Sequence, residues 1–598
     1  MFEVDEEQTW DLSSVMADKT IAGITHEMDS VVTALHGLGE ELRKNLNGIS
    51  AKDLAEFIRR VEALYERAET AEVYTFCGSA SDVVSSDGQA LGALFQRAIN
   101  ILSGNFRTIQ YDLGGLIQSR PELLDAPELV NHRHYLQKAS MKAPYRLSQS
   151  EEDLVVAKDN SGIWTIYQLR ESWMGTRAVE LEIGGKKRTV TTNELYSLRM
   201  DDDRETRKSA TKAWFDCLAK DKLLYGTALR AICTDHIEMS RIRGWPSPMT
   251  QSLLDQDVDE TTIAALLSSI ERSADIYQRY LRLKANSFGM ERLFDYDINA
   301  PWSTGSLWAA DRPTARDTIV RAYSTFDDEV GGIVEDLFRQ RRVDSLDRKG
   351  RIDAAFTAPW SHGRTSFVFL TYNGKLADAY VAAHELGHAV HDHFMHEHQT
   401  ALNCGIYDVS VCVAETASVF GELLLTEQLL RERDERALML EALAKVLERF
   451  YMMTYRTCAE ALLESSLYDA IQAGETVDTD RASQLWKATR HRIYGDCVEW
   501  TENSEYAWAA ANSLFEPNFR FYNYSYSFAQ LLVFALYGDF KRRGRRFNER
   551  FKLLLSRGGS MSPKNQIAEL GYDITRPDFW TLGMKQAERF LEQLKKLI

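Results

Sequence analysis

The sequence predicts a mainly α-helical fold, and three observations carry that reading. Apolar residues recur at helical spacing over the long stretches Ala51 to Ala71, Thr261 to Leu283 and Ala437 to Asp469. Strand-like runs are few, confined to about 179–190 and 355–372. No Pro-, Gly- or Ser-rich linker, low-complexity tract or repeat interrupts the 598 residues. Length alone suggests about four domain-sized units, although one large helical body around a cavity fits as well.

Taken in chain order, the first long amphipathic stretch reads as a helix from Ala51. The run Val179-Glu180-Leu181-Glu182-Ile183-Gly184-Gly185-Lys186-Lys187-Arg188-Thr189-Val190 reads as a hairpin turning at Gly184-Gly185. Just after it, Thr191-Thr192-Asn193-Glu194-Leu195 opens a new helix with Thr192 or Asn193 as cap. That is the best break in the chain, dividing it into an N-terminal helical lobe, 1–195, and a second domain, 196–598. Further on, Phe367-Val368-Phe369-Leu370 is short, apolar and β-prone, and Asn373-Gly374 follows as a turn signal. As an edge strand it could hold an extended peptide through backbone hydrogen bonds; as a core strand it could not. Near the C-terminus Tyr522, Tyr524 and Tyr526 alternate, as one face of a strand or an aromatic part of the core would. The basic cluster Lys541-Arg542-Arg543-Gly544-Arg545-Arg546 reads as a solvated helix end.

One stretch carries chemistry. His384-Glu385-Leu386-Gly387-His388 lies within the apolar-periodic run 379–391. Residues four apart share a helix face, so both imidazoles can reach one metal ion with Glu385 beside its open position. Zinc so held lowers the pKa of water to about 7 and polarises a scissile carbonyl, and the glutamate can carry a proton from water to the leaving amine. As ordinary histidines of an amphipathic helix the pair would mean nothing, so a third ligand decides. A third histidine ten residues after the first is absent, since Phe394 stands there and His391 takes the position of the accompanying glycine. The remaining candidates are the carboxylates Asp392, Glu397, Asp408, Glu415, Glu422 and Glu427. Glu415 stands out because it lies in the apolar run 411–425, which reads as one buried helix where an unpaired carboxylate would be costly. Glu422, seven residues on, shares its face and could support a ligand from behind.

These residues resemble the M3 zinc peptidases, and within them the oligoendopeptidase F branch. That family's His-Glu-x-Gly-His-x-x-His motif is matched by His384, Glu385, Gly387, His388 and His391, and its Glu-x-x-Ser core by Glu415 and Ser418. Also similar are Gly350 to Phe356, Ser366 to Gly374, Phe521 to Phe528, Gly558 to Pro563 with Phe579-Trp580, and the opening Thr9-Trp10-Asp11-Leu12, so the likeness covers nearly the whole chain. The resemblance implies a two-lobed helical zinc peptidase with a small β-sheet beside the active-site helix and a deep substrate channel. It implies one Zn2+ per chain on His384, His388 and Glu415, with Glu385 as base, His391 behind the ligands, and the phenol of Tyr526, then Tyr524, on the oxyanion. One family position departs: no histidine follows His491, so Asn518 or Arg520 would substitute for the usual oxyanion histidine, or the role is unfilled. Losing one such donor typically costs about 100- to 1000-fold in rate. The expected activity is zinc-dependent endopeptidase cleavage of short oligopeptides. The alternatives are a carboxypeptidase of the same fold releasing dipeptides, and a peptide-binding pseudoenzyme.

Composition excludes some partners. A formal net charge of −17 and a pI near 5.4 argue against nucleic acid. No run of 18 or more apolar residues spans a bilayer, and the opening Met1 to Glu7 lacks a signal peptide's pattern, so a cytoplasmic location is expected. Seven cysteines without CxxC pairs fit reduced, buried thiols, and Cys404 and Cys412 read as small core residues rather than soft ligands. His393, His396 and His398 read as a polar helix end rather than a second metal site. Oligomeric state is not legible.

Overall fold

The computed structural model describes residues 8–45, 48–302, 308–405, 408–432 and 435–598. The opening segment 1–7, read above for a targeting signal, lies outside the described residues. The fold is mainly α, with three small sheets among the described residues. No helix there is long and apolar enough to cross a membrane. Packing groups the chain into two compact units, each built of three separate stretches. The first comprises Met1–Pro144, Leu307–Arg433 and Leu536–Asp573; the second comprises Tyr145–Ser306, Asp434–Ala535 and Ile574–Ile598. The sequence boundary at 195 falls inside the second.

In the first unit, helices α1 (Ile21–Asn45) and α2 (Ala51–Ser81) bury their apolar stripes in one large core. Ser50 caps α2 by accepting the Asp53 amide, and α2 runs ten residues past the amphipathic stretch read from sequence. A three-stranded sheet of β1 (Val343–Asp344), β2 (Phe356–Trp360) and β3 (Thr365–Phe369) has β3 in its centre, parallel to β1 and antiparallel to β2. Of the two readings of Phe367-Val368-Phe369-Leu370, the core strand is the one found. Phe367, Val368 and Phe369 are fully buried, and the longer outer strand is β2. Three consecutive apolar residues have no polar side to show solvent, so the run belongs in the middle of the sheet. Trp10 packs on the sheet against Phe356, Phe367 and Phe369 and donates its indole N–H to Ser81, 3.1 Å away.

Asn373-Gly374 makes the expected turn, with Gly374 at φ 79°. The Asp378 carboxylate accepts the amides of Asn373 and Lys375 there, starting helix α3 (Leu376–His398). The run 411–425 is not one helix. A helical turn, Val411–Ala414, ends at Glu415, and α4 (Thr416–Glu432) begins directly after it. Ser410 caps the turn and Thr416 donates its hydroxyl back to the Val413 carbonyl, which closes the first segment and leaves Glu415 at the junction.

α3 and α4 pack unusually close because each supplies a glycine. A Cβ on Gly387 would stand 2.4 Å from the Ala417 carbonyl oxygen, and one on Gly421 would stand 1.9 Å from the Tyr323 hydroxyl and 2.7 Å from the Ala383 carbonyl oxygen. Tyr323 fills the space so left, donating to the Ala383 carbonyl at 2.6 Å. Tyr380 and Thr426 join the two helices again at 2.7 Å.

The second unit holds the expected hairpin, Ala178–Ile183 against Lys186–Thr191. Gly184 and Gly185, at φ 57° and 77°, form its tight turn, which needs positive φ at both central residues. Thr191 rather than Thr192 or Asn193 caps the next helix, accepting the Glu194 amide at 3.2 Å. The two long stretches of helical spacing, Thr261 to Leu283 and Ala437 to Asp469, are helical but interrupted. One breaks at Ser273, between Glu260–Arg272 and Ala274–Ser287. The other contains a π-helical turn, Met452–Arg456, between Arg436–Tyr451 and Thr457–Gln472. Tyr524 opens the helix Tyr524–Arg543, so the alternating tyrosines are not one face of a strand.

Candidate metal centre

Three side chains of the first unit converge. His384 and His388, one turn apart on α3, put their rings 4.9 Å apart and nearly perpendicular. Glu415, at the start of α4, brings one carboxylate oxygen to 3.2 Å from His384 Nε2 and 3.6 Å from His388 Nε2. One donor atom from each of the three lies within 4.8 Å of the others, and this is the one such group among the described residues. Two imidazoles and a carboxylate suit a divalent ion of zinc's kind, and the helix start at Glu415 favours negative charge.

The surroundings fit a bound cation. Glu422, on the side of α4 behind the ligands, contacts His384 Nδ1 at 2.7 Å, which turns Nε2 toward the group. Ser418 donates its hydroxyl to the Glu415 carboxylate at 2.8 Å. Burial disfavours a charged imidazole, yet hydrogen bonds and charge from Glu415 and Glu422 outweigh it and push His384 up to about 10. Burial also opposes ionisation of Glu415, but His388, His384 and Ser418 hold its carboxyl well below the usual range. Two carboxylates focused on this spot call for positive charge, and an arriving metal ion would displace the His384 proton to supply it.

Glu385 is buried beside the histidines. Thr357 on β2 donates to its carboxylate at 2.9 Å and sits 2.8 Å from its main-chain carbonyl. Sequence reasoning missed Thr357, because the contact joins residues 28 apart through the sheet. His391 is buried with its ring turned to the Ala414 carbonyl at 3.4 Å, and burial lowers it to about 4. It thus braces the turn before Glu415 as a neutral ring.

The other carboxylates considered as third ligand are engaged elsewhere. Asp392 takes the Ser366 hydroxyl at 2.6 Å and is pushed up to about 7 by burial. Glu397 faces His393 at 3.8 Å, and Glu427 takes Tyr537 and Lys541. Asp408 is half-buried, and its desolvation raises its carboxyl. Cys404 and Cys412 are buried core thiols outside the ligand group. Of the three late histidines, His396 departs from a polar helix end: it is buried, 3.3 Å from the Ser361 hydroxyl, because α3 still faces the core at that turn.

In the second unit, Tyr524 is buried with its phenol held by Ser252, 2.9 Å from the hydroxyl and 3.3 Å from the carbonyl. Tyr526, two residues on, is 37% exposed. Arg520 is excluded as a replacement donor, because its guanidinium is buried and spent on the carbonyls of Ser513, Leu514 and Glu516. Asn518 is exposed.

The chain is similar to known peptidases. Residues 316–586, which contain all three converging side chains, match Peptidase family M3. Group B oligopeptidase PepB of Streptococcus agalactiae is 24% identical over 606 residues, covering 100% of this chain and 98% of its own. Oligopeptidase PepF of Bacillus subtilis is 22% identical, covering 100% and 88%. Among solved structures, a Chlamydophila abortus protein aligns with a TM-score of 0.86 at 19% identity over 100% of this chain and 99% of the other. The oligoendopeptidase-F of Enterococcus faecium aligns at 0.68 and 19% over 96% and 99%. Over residues 316–586 the chain is thus similar to peptidase family M3, and the relatives it matches along its length are oligopeptidases.

Proposed function

We propose that this peptidase is a zinc-dependent endopeptidase of short oligopeptides. The observation that carries the reading is the convergence of His384, His388 and Glu415 with the Glu385 carboxylate held beside them by Thr357. Zinc bound by the three would polarise the scissile carbonyl and acidify water. Glu385 takes the proton from the attacking water and returns it to the leaving amine, a role that the Thr357 hydrogen bond serves by fixing the carboxylate's direction. An extended substrate backbone lies along the outer edge of β2, where main-chain hydrogen bonds hold it without demanding a particular sequence. The sequence resemblance assigns the oxyanion donor to the Tyr526 hydroxyl, then to that of Tyr524. The named relatives support oligopeptides as the substrate class.

A timed digest of a mixed pool of short peptides, read by mass spectrometry, tests this. Zinc-loaded protein is expected to make internal cuts that fall by about a hundredfold or more in Glu385→Gln, whose zinc content is unchanged. Release of C-terminal dipeptides alone would favour the carboxypeptidase alternative, and an intact pool would favour peptide binding without turnover.

A further inference from the structure

The second unit contains a half-open cavity of about 650 Å³, within the size range of small-ligand sites. Every residue lining it belongs to that unit. Its walls are largely aromatic, including Tyr196, Trp214, Tyr277, Tyr451 and Trp486. The π-helical turn Met452–Arg456 borders it, and Met452 and Arg456 are part of its lining.

The polar groups inside are unevenly satisfied. Arg456 pairs with Glu460 at 3.1 Å, Glu171 with Arg170, and Glu448 with Lys284 at 2.7 Å. Arg199 has no carboxylate at ion-pair distance among the described residues. Its guanidinium lies 5.5 to 5.8 Å from the ring centres of Tyr196, Trp214 and Phe215, and its Nε is buried without a partner. Burial, and then the like charge of Arg456, lower it to about 10 against the longer-range attraction of Asp295, so it remains charged at neutral pH with no carboxylate in direct contact. Two more donors wait: the hydroxyl of Tyr451, 1% exposed, and the indole N–H of Trp486, 7% exposed, are buried without partners. Asp295 accepts the amide and hydroxyl of Thr501 through one oxygen, while its other oxygen is buried and unpartnered. A cation, two neutral donors and one acceptor within an aromatic wall ask for a ligand with an anionic end, an amide N–H and an apolar body.

We propose that this cavity binds the C-terminal end of a short peptide, its carboxylate on Arg199, its last amide N–H toward Asp295 and its last side chain among the aromatic rings. The peptide as ligand rests on the proposed substrate class; the cavity chemistry does not. Calorimetry on the zinc-loaded protein with N-acetyl-L-phenylalanine, N-acetyl-L-phenylalaninamide and 3-phenylpropionate tests it. The free acid is expected to bind, and the amide to bind about tenfold more weakly or worse, because it forfeits a charged hydrogen bond. Phenylpropionate, which lacks the amide N–H, is expected to bind more weakly than the acetylated amino acid. Arg199→Met should remove the preference for acid over amide, and Tyr451→Phe, which deletes one hydroxyl and little volume, should weaken acid binding severalfold. His388→Ala should bind the acid as well as the parent, since a carboxylate seated on the metal would be lost there.

Equal binding of acid and amide overturns the proposal, as does acid binding lost in His388→Ala or unaffected in both cavity variants. Phenylpropionate binding as well as the acetylated amino acid overturns the peptide-end assignment. Cleavage of a short peptide with a free C-terminus by the parent protein stands apart from all of these. No cleavage with acid-selective binding sinks the catalytic reading alone, and cleavage without acid binding sinks the cavity proposal alone.

Discussion

At the scale of single residues, the centre depends on groups that touch the ligands from behind. Glu422 sets the orientation of His384, so Glu422→Gln is expected to weaken zinc affinity by about 10- to 100-fold, read by competition with a coloured chelator. An unchanged affinity would reduce Glu422 to a packing residue. Thr357→Val keeps shape while deleting the hydroxyl that holds Glu385, and kcat is expected to fall about tenfold with zinc content intact. The three converging residues were legible in the sequence, because four-residue spacing on a helix and a carboxylate in an apolar run are local patterns. Thr357 left no such trace. A threonine in a strand looks like any other until the sheet is laid beside α3.

Between elements, the close approach of α3 and α4 brings Glu415 to the histidines. Gly387→Ala would drive a Cβ against the Ala417 carbonyl and the Ser418 Cα, both backbone atoms that cannot swing away. A loss of about 1–3 kcal/mol is expected, seen as a lower unfolding midpoint, together with weaker zinc binding as the ligands spread. Gly37, on an exposed face of α1 where an added Cβ would meet nothing within 4 Å, is the control. Gly37→Ala is expected to stabilise by about 0.5–1 kcal/mol through helix propensity alone. The long helices were read correctly in kind from their periodicity, but their breaks were not. The π-turn at Met452–Arg456 keeps the apolar repeat nearly intact, and the junction at Glu415 is made by Ser410 and Thr416, whose capping bonds leave hydrophobicity unchanged.

For the whole molecule, buried ionisable groups set the pH range of stability. Burial lowers His236 and His396 to about 4, so their neutral forms contribute stability that is present above about pH 6.5 and lost as pH falls toward 4. Burial raises Glu69 to about 8 and Glu72 to about 7, so these acids favour the fold when protonated and disfavour it as pH rises from about 4.5 through those values. Between about pH 6.5 and 8 the raised acids, Asp392 and Glu464 at about 7 among them, still titrate while the two histidines do not, and the unfolding midpoint is expected to fall across that interval. Glu69→Gln should flatten the fall; a midpoint that rises with pH there would contradict the assignment. The division into two units was not legible, because each is assembled from three stretches far apart in the chain, and sequence shows only breaks along a line.

The most direct test of the central claim is anomalous diffraction at the zinc edge from crystals of the zinc-loaded protein. The expected result is one peak at about 2.0–2.2 Å from His384 Nε2, His388 Nε2 and the Glu415 carboxylate. A peak on other residues, or none at this triad in protein that carries stoichiometric zinc, would contradict it.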